Sequence, residues 1–82
     1  MMLEDVLRRI FIKALDLDHD ADVRGLKYRA IDKWDSTAHM ELIAALEEEF
    51  DITITNIDVI RINSFEAAAT ILKTKYDVCA EA

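Results

Sequence analysis

The sequence predicts an all-α protein: a four-helix bundle with three longer helices, one short helix and a long loop between the first two helices. Three segments carry apolar residues at steps of three and four, the spacing that places side chains on one side of a helix. The one segment with alternating apolar residues has no second segment to pair with, so it does not predict a sheet. The 82 residues have room for a single domain, 1–82, with one core.

The first amphipathic segment predicts a helix from Leu3 to Leu15, because its charged residues lie on other faces than its apolar ones. Residues 16–34 break this period and contain the only glycine of the chain, Gly25. We expect a long loop here, with one short turn. Four side chains are expected to hold the loop on the core: Leu26, Tyr28, Ile31 and Trp34.

The helical period returns at Ser36 and predicts a second helix that continues to Phe50. At about 100° per residue, this helix divides into two opposite stripes. The first stripe is expected in the core and comprises His39, Leu42, Ile43, Leu46 and Phe50. The second, here called the exposed stripe, comprises Thr37, Met40, Glu41, Ala44, Glu47 and Glu48.

We interpret the alternating residues 52–55 as an extended link into a short helix near Asn56 to Arg61. The last helix is expected to begin at Asn63 or Ser64, since either side chain can act as an N-cap. Glu66 lies three residues after Asn63, in the register of a capping box. The apolar face of this helix is predicted to comprise Phe65, Ala68, Ala69, Ile71, Leu72 and Tyr76.

The charge balance narrows the classes of partner. Seventeen acidic residues against ten basic ones give a net charge of −7, which disfavours nucleic acid and anionic membrane surfaces and favours basic protein surfaces. No apolar run approaches the ~20 residues of a membrane span, and the first residues lack the pattern of a secretory signal. The single cysteine, Cys79, cannot form an internal disulfide. We therefore expect a monomeric, cytoplasmic protein.

The long loop contains four alternating aspartates between positions 16 and 22, as the first ligands of a calcium loop would alternate. The sixth and twelfth positions of such a loop need glycine and glutamate, but they hold Ala21 and Lys27 here. We therefore predict a solvated acidic loop and no metal site. His19, which lies among these carboxylates, is interpreted as a surface residue.

Ser36 and His39 lie one helical turn apart, as a nucleophile and its base might be arranged in a hydrolase. The chain has neither a G-x-S-x-G sequence nor a glycine-rich oxyanion segment, so we predict that it is not an enzyme. Two interpretations of Ser36 remain. With Asp35, it could simply cap the helix. Alternatively, its hydroxyl could carry a phosphodiester, which would meet free backbone N–H groups at the helix start.

Residues 35–50, DSTAHMELIAALEEEF, resemble the recognition helix of acyl carrier proteins. The pattern of that family is D-S, then a large apolar residue, then an amphipathic helix that ends in A-L-E-E-E-F. The resemblance extends over nearly the whole chain, and it includes the first helix, the long loop and the isoleucines Ile54 and Ile62. The D-S dipeptide alone is weak, but its combination with E-L-I and A-L-E-E-E-F at this spacing is specific.

The resemblance implies a carrier. Ser36 would receive 4'-phosphopantetheine from coenzyme A through a phosphodiester made by a phosphopantetheinyl transferase, and Asp35 would help to present it. The thiol of that arm would carry acyl intermediates as thioesters in fatty-acid or specialised lipid or polyketide-type biosynthesis. Acyl-loading and acyl-processing enzymes with basic docking patches would bind the exposed stripe.

The chain departs from the family pattern in ways that predict a specialised, stand-alone member. Thr37 replaces the large apolar residue after the serine, and the sequence W-D-S-x-x-H resembles carriers dedicated to one pathway. Asp58 is the only acid of the predicted third helix, where the family often has several. Two alternatives remain: an aminoacyl or hydroxyacyl carrier paired with a dedicated ligase, and an unmodified acidic helical module that binds other proteins.

Overall fold

A computed structural model describes residues 3–76 and 78 of the chain. It contains four helices, which are α1 (Leu3–Ala14), α2 (Ser36–Phe50), α3 (Asn56–Arg61) and α4 (Phe65–Thr74). Among the described residues there is no β-strand, and the only bridge pairs Lys27 with Ser64. The predicted all-α class is confirmed, and the arrangement is compatible with a helical bundle. Cys79 lies outside the described residues.

The helix boundaries follow local signals closely. α1 ends one residue before the predicted Leu15, whose N–H still donates to the carbonyl of Phe11 (2.9 Å). The N-cap of α4 is Ser64, whose hydroxyl accepts a hydrogen bond from the N–H of Ala67 (3.0 Å). Asn63 is therefore not the cap, and the capping-box register expected between it and Glu66 does not apply.

The core lies where α1 packs against α2 and α4. Phe11 is fully buried at its centre, in edge-to-face contact with Trp34 (5.4 Å between ring centroids) and Phe65 (5.1 Å). The core stripe predicted for α2 is buried except for Phe50, which is half-buried against the same cluster. No helix among the described residues is long and apolar enough to cross a membrane.

The segment between α1 and α2 is held on this core by Trp34 and Val23, which are both buried, while Leu26, Tyr28 and Ile31 are half-buried against it. The side chain of Arg8 donates to the carbonyl of His19 (2.6 Å), so a cation holds the loop through its backbone. The loop aspartates remain exposed. Within the described part of the chain, no group of His, Cys, Asp or Glu residues has the arrangement of a metal site.

α3 is tied to the end of α4 through Asp58, which is fully buried. Its Oδ2 accepts hydrogen bonds from the hydroxyls of Tyr76 (2.6 Å) and Thr55 (3.0 Å) and pairs with Nζ of Lys75 (2.7 Å). Hydrogen bonds from Lys75, which has the largest effect, and from Tyr76 and Thr55 lower the pKa of Asp58 to about 2. Burial alone would raise this pKa. The one acid of the third helix is therefore engaged inside the protein and is not available at its surface.

Candidate functional site

Asp35 and Ser36 have different positions at the start of α2. Asp35 is the N-cap, and its Oδ1 accepts a hydrogen bond from the N–H of Ala38 (2.9 Å). Ser36 is the first residue of the helix and is exposed. Its hydroxyl makes no hydrogen bond to any residue that the structure describes. Capping therefore accounts for Asp35 but not for the serine beside it.

The buried side chains of Trp34 and His39 form a hydrogen-bonded pair near the start of α2. Nε1–H of Trp34 donates to Nδ1 of His39 (3.0 Å), and the two rings are stacked. Because an indole N–H can only donate, Nδ1 of His39 accepts and its Nε2–H donates to the carbonyl of Val59 (2.7 Å). Both ring nitrogens are thus used in holding the loop and α3 to α2. In this arrangement, His39 is not positioned as a base for Ser36.

Arg29 brings a positive charge to the same end of α2, at a position that the sequence does not predict. Its backbone is in the left-handed region (φ 67°), and its N–H donates to the carbonyl of Trp34 (3.2 Å). Its guanidinium lies over the ring of Tyr28, 5.7 Å from the centroid. The side chain of Tyr28 raises the pKa of the Arg29 guanidinium most, and the negative charge of Asp35 raises it to a smaller extent. No short-range pattern in the sequence predicts this position, because it depends on the path of the loop.

The exposed stripe of α2 is mostly available to a partner. Thr37, Glu41, Ala44 and Glu48 are exposed, and Met40 exposes 56% of its surface. Glu47 differs from these residues, because it is half-buried and its Oε2 accepts a hydrogen bond from the N–H of Ile54 (2.8 Å). Glu47 therefore also holds the link between α2 and α3.

A groove of about 580 Å³ lies between α1 and α2, here called the α1–α2 groove. Its floor consists of apolar and mostly small side chains, which are Ile10, Ala14, Ala44 and Ala45. Its rim is charged and consists of Glu41, Glu48, Glu49 and Lys13. None of these four charged groups forms an ion pair within the described part of the chain. Ala45 and Glu49 were outside the predicted site, since only the packing of α1 beside α2 brings them to this surface.

The start of α2 thus presents a primary hydroxyl that is exposed, makes no hydrogen bond to a described residue and lies at the positive end of a helix of 15 residues. Glu41 and Glu48 are exposed farther along the same helix. In comparisons with known proteins, no family model matches this chain, and no curated protein matches it either.

Proposed function

We propose that this protein is an acyl carrier and that Ser36 bears 4'-phosphopantetheine. The observation that carries the proposal is the start of α2, where Asp35 caps the helix and leaves the exposed Ser36 hydroxyl without a partner among the described residues. The resemblance of residues 35–50 to the recognition helix of acyl carrier proteins supports the same position. The alternative, an unmodified acidic interaction module, predicts that Ser36 accepts no such group.

The residues around Ser36 fit the proposed group. A phosphodiester on its Oγ would lie at the N-terminus of α2, where unpaired backbone N–H groups and the helix dipole favour negative charge. Ser36 and Thr37 are exposed, so the arm has space to extend into solvent. The terminal thiol of the attached group would carry the acyl chain as a thioester.

Attachment requires Ser36 to act as a nucleophile toward coenzyme A. Its oxygen would bond to the phosphorus that carries the pantetheine, while the bond from that phosphorus to the adenosine-bearing phosphate breaks and 3',5'-adenosine bisphosphate leaves. The hydroxyl proton would pass to a base of the transferase, because both ring nitrogens of His39 are already hydrogen-bonded. The chain contributes a fixed helix start that presents the hydroxyl.

The proposal predicts that incubation with coenzyme A, magnesium and a broad-range phosphopantetheinyl transferase adds about 340 Da to the intact protein. The Ser36→Ala variant should show no gain, because it removes the acceptor oxygen. Thr53→Ala is the matched control, since it removes an exposed hydroxyl outside α2 and should leave the gain unchanged. Intact-mass spectrometry measures all three. A gain that survives Ser36→Ala, or no gain with several transferases, would contradict the proposal.

The proposal also predicts that loading depends on the charge of α2. The double variant Glu41→Lys/Glu48→Lys should slow loading at low salt by roughly two- to five-fold per reversed charge and should weaken its salt dependence. Both residues are exposed, so circular dichroism should show unchanged helicity. Asp18→Lys/Asp20→Lys, in the exposed loop, is the control with the same change of net charge. Equal loading rates for both double variants would show that α2 is not an electrostatic docking surface.

A further inference from the structure

We infer that the acyl chain of this carrier rests on the protein surface and stays out of the core. Its place is an apolar patch formed by Met40, Ile57 and Ile60, here called the α2–α3 patch. This inference rests on the proposed function, because it assigns a site to a chain that is attached through Ser36. It also narrows the cargo to a neutral aliphatic acyl group.

Two large apolar side chains of α3 lie in solvent. Ile57 exposes 62% of its surface and Ile60 exposes 78%. They are three residues apart and are therefore neighbours on one face of α3, whereas Asp58 is buried on another face. Single exposed apolar residues are common, but neighbouring ones indicate a surface that a ligand or a partner covers.

Ser36 and Met40 lie on the side of α2 that is next to α3. At about 100° per residue, Ser36, Met40 and Glu47 project within about 40° of one another. Glu47 accepts a hydrogen bond from the N–H of Ile54 in the link to α3 (2.8 Å), which identifies this side of the helix. Met40 exposes 56% of its surface and is one turn from Ser36. A chain attached at Ser36 therefore starts beside the α2–α3 patch.

The α1–α2 groove is a poorer site for an aliphatic chain. The residues of α2 that line it project at about 80° to 220° from Ser36, so they lie farther round the helix. Three glutamates border this groove, and an aliphatic chain would take water from them without offering a hydrogen bond. On the α3 side, the exposed Asp51 and Arg61 have opposite charges, so no single charge selects an ionic ligand there.

α3 is fixed in place and closes the core on this side. Nε2–H of His39 donates to the carbonyl of Val59 (2.7 Å), and the buried Asp58 ties α3 to the end of α4. The side chains of Leu42 and Leu46 in α2 are fully buried. An acyl chain would have to break the contacts of α3 to reach them, whereas the α2–α3 patch is accessible without any rearrangement.

The attachment at Ser36 determines which ligand meets the patch. A chain held by a flexible arm is present at roughly millimolar effective concentration around its own carrier. Its methylene groups and the side chains of the patch both lose contact with water when they meet. An aminoacyl cargo carries a charged amino group and would gain less from this contact. The patch therefore favours an aliphatic acyl group.

The test compares the protein loaded from octanoyl coenzyme A with the protein loaded from acetyl coenzyme A, which has the same arm and a shorter chain. In methyl NMR spectra, the two forms should differ at the methyl groups of the α2–α3 patch. The methyl groups of Leu42 and Leu46 should be the same in both forms. Differences at these core groups, or at Ile10 and Ala14 in the α1–α2 groove, would overturn the inference, as would two identical spectra.

The double variant Ile57→Ser/Ile60→Ser removes most of the patch. The difference between the octanoyl and acetyl forms at the methyl group of Met40 should then fall by about two- to five-fold, because less apolar surface holds the chain. Both substituted residues are exposed, so urea denaturation should show little change in stability. Ala44→Ser, which is exposed in the α1–α2 groove, is the control and should retain the full difference. An undiminished difference in the double variant would overturn the inference.

A chemical attachment separates this inference from the proposed function. The variant Ser36→Cys/Cys79→Ser has one thiol, at the attachment position, which can be alkylated with N-octylmaleimide or, as the short-chain control, N-ethylmaleimide. If the transferase loads Ser36 but neither the octanoyl nor the octyl chain shifts the methyl groups of the patch, the inference is wrong and the carrier proposal stands. If the transferase adds no mass but the octyl chain shifts them, the carrier proposal falls and the patch remains the site for an aliphatic chain attached here.

Discussion

Replacing Trp34 with alanine is expected to lower the free energy of unfolding by about 3–5 kcal/mol, the usual range for removing a large buried aromatic side chain. Trp34 is fully buried and packs edge-to-face on both Phe11 and Tyr28. Domains of this size have roughly 5–15 kcal/mol of stability in total, so the variant should be close to unfolding at room temperature. Urea denaturation followed by circular dichroism measures the change.

Trp34→Phe separates packing from hydrogen bonding in this prediction. It retains an aromatic ring but removes the N–H that donates to Nδ1 of His39 (3.0 Å). His39 is only 8% exposed, so an unpaired Nδ1 should cost about 1–3 kcal/mol. The double variant Trp34→Phe/His39→Phe should lose less than the sum of its two single variants, since it leaves neither half of the indole–imidazole hydrogen bond unpaired. Strict additivity would show that the indole–imidazole hydrogen bond contributes nothing to stability.

The helices could be predicted because their signals are local. The apolar period identified α1 and α2 to within a residue, and the bounds predicted for α3, Asn56 to Arg61, are those observed. The prediction for the last helix was wrong at its end, because Tyr76, assigned to its apolar face, lies two residues beyond the end of α4 at Thr74. Residues 52–55 lie in no helix or strand, and the backbone of Thr55 is extended, as predicted for the link. Where two adjacent residues could serve as caps, as at Asn63 and Ser64, the composition left the choice open. The backbone conformation before α4 determines which of the two residues is the N-cap.

The candidate site could be predicted only where it follows helical geometry. The period of α2 correctly placed most of the exposed stripe, but it gave no sign that Glu47 bonds to the N–H of Ile54. Likewise, Asp58 looks like a surface acid in the sequence, since Lys75 and Tyr76 are far along the chain. The α1–α2 groove requires two helices to be packed before its rim exists. These features depend on tertiary contacts, which a single helical period does not contain.

Lowering the pH from about 4 to about 2 is expected to destabilise this protein partly through Asp58. Its pKa in the folded state is about 2, against an ordinary value of 3.8. A lowered folded-state pKa means that the stabilising contribution is complete above the unfolded value and is lost as the pH falls toward the folded value. Protonation would remove the charge that pairs with Lys75 at 2.7 Å. Thermal melts across this pH range measure the loss.

Asp58→Asn is the decisive variant, because it keeps the shape of the side chain and removes its charge. It should be less stable than the unchanged protein at pH 7, and the difference should shrink as the pH falls below about 4. Glu4, whose pKa is lowered by a backbone hydrogen bond and by Lys73, also titrates in acid, so Glu4→Gln is the matched control. A constant difference between the unchanged protein and Asp58→Asn from pH 7 to pH 2 would contradict the prediction.

The position of this transition bears on the proposed function. Because Asp58 titrates near pH 2, it stays ionised throughout the neutral range, and Lys75 and Tyr76 continue to hold α3 against the end of α4. α3 in turn holds His39 through the carbonyl of Val59, and His39 supports Trp34 beneath the start of α2. Tyr76→Phe, which removes one hydrogen bond from Asp58, is therefore expected to loosen α3 at neutral pH. Amide hydrogen exchange measures this effect: relative to the unchanged protein, Tyr76→Phe should exchange faster in α3 but not in α1. Unchanged exchange rates in α3 would show that the contacts of Asp58 do not hold α3 in place.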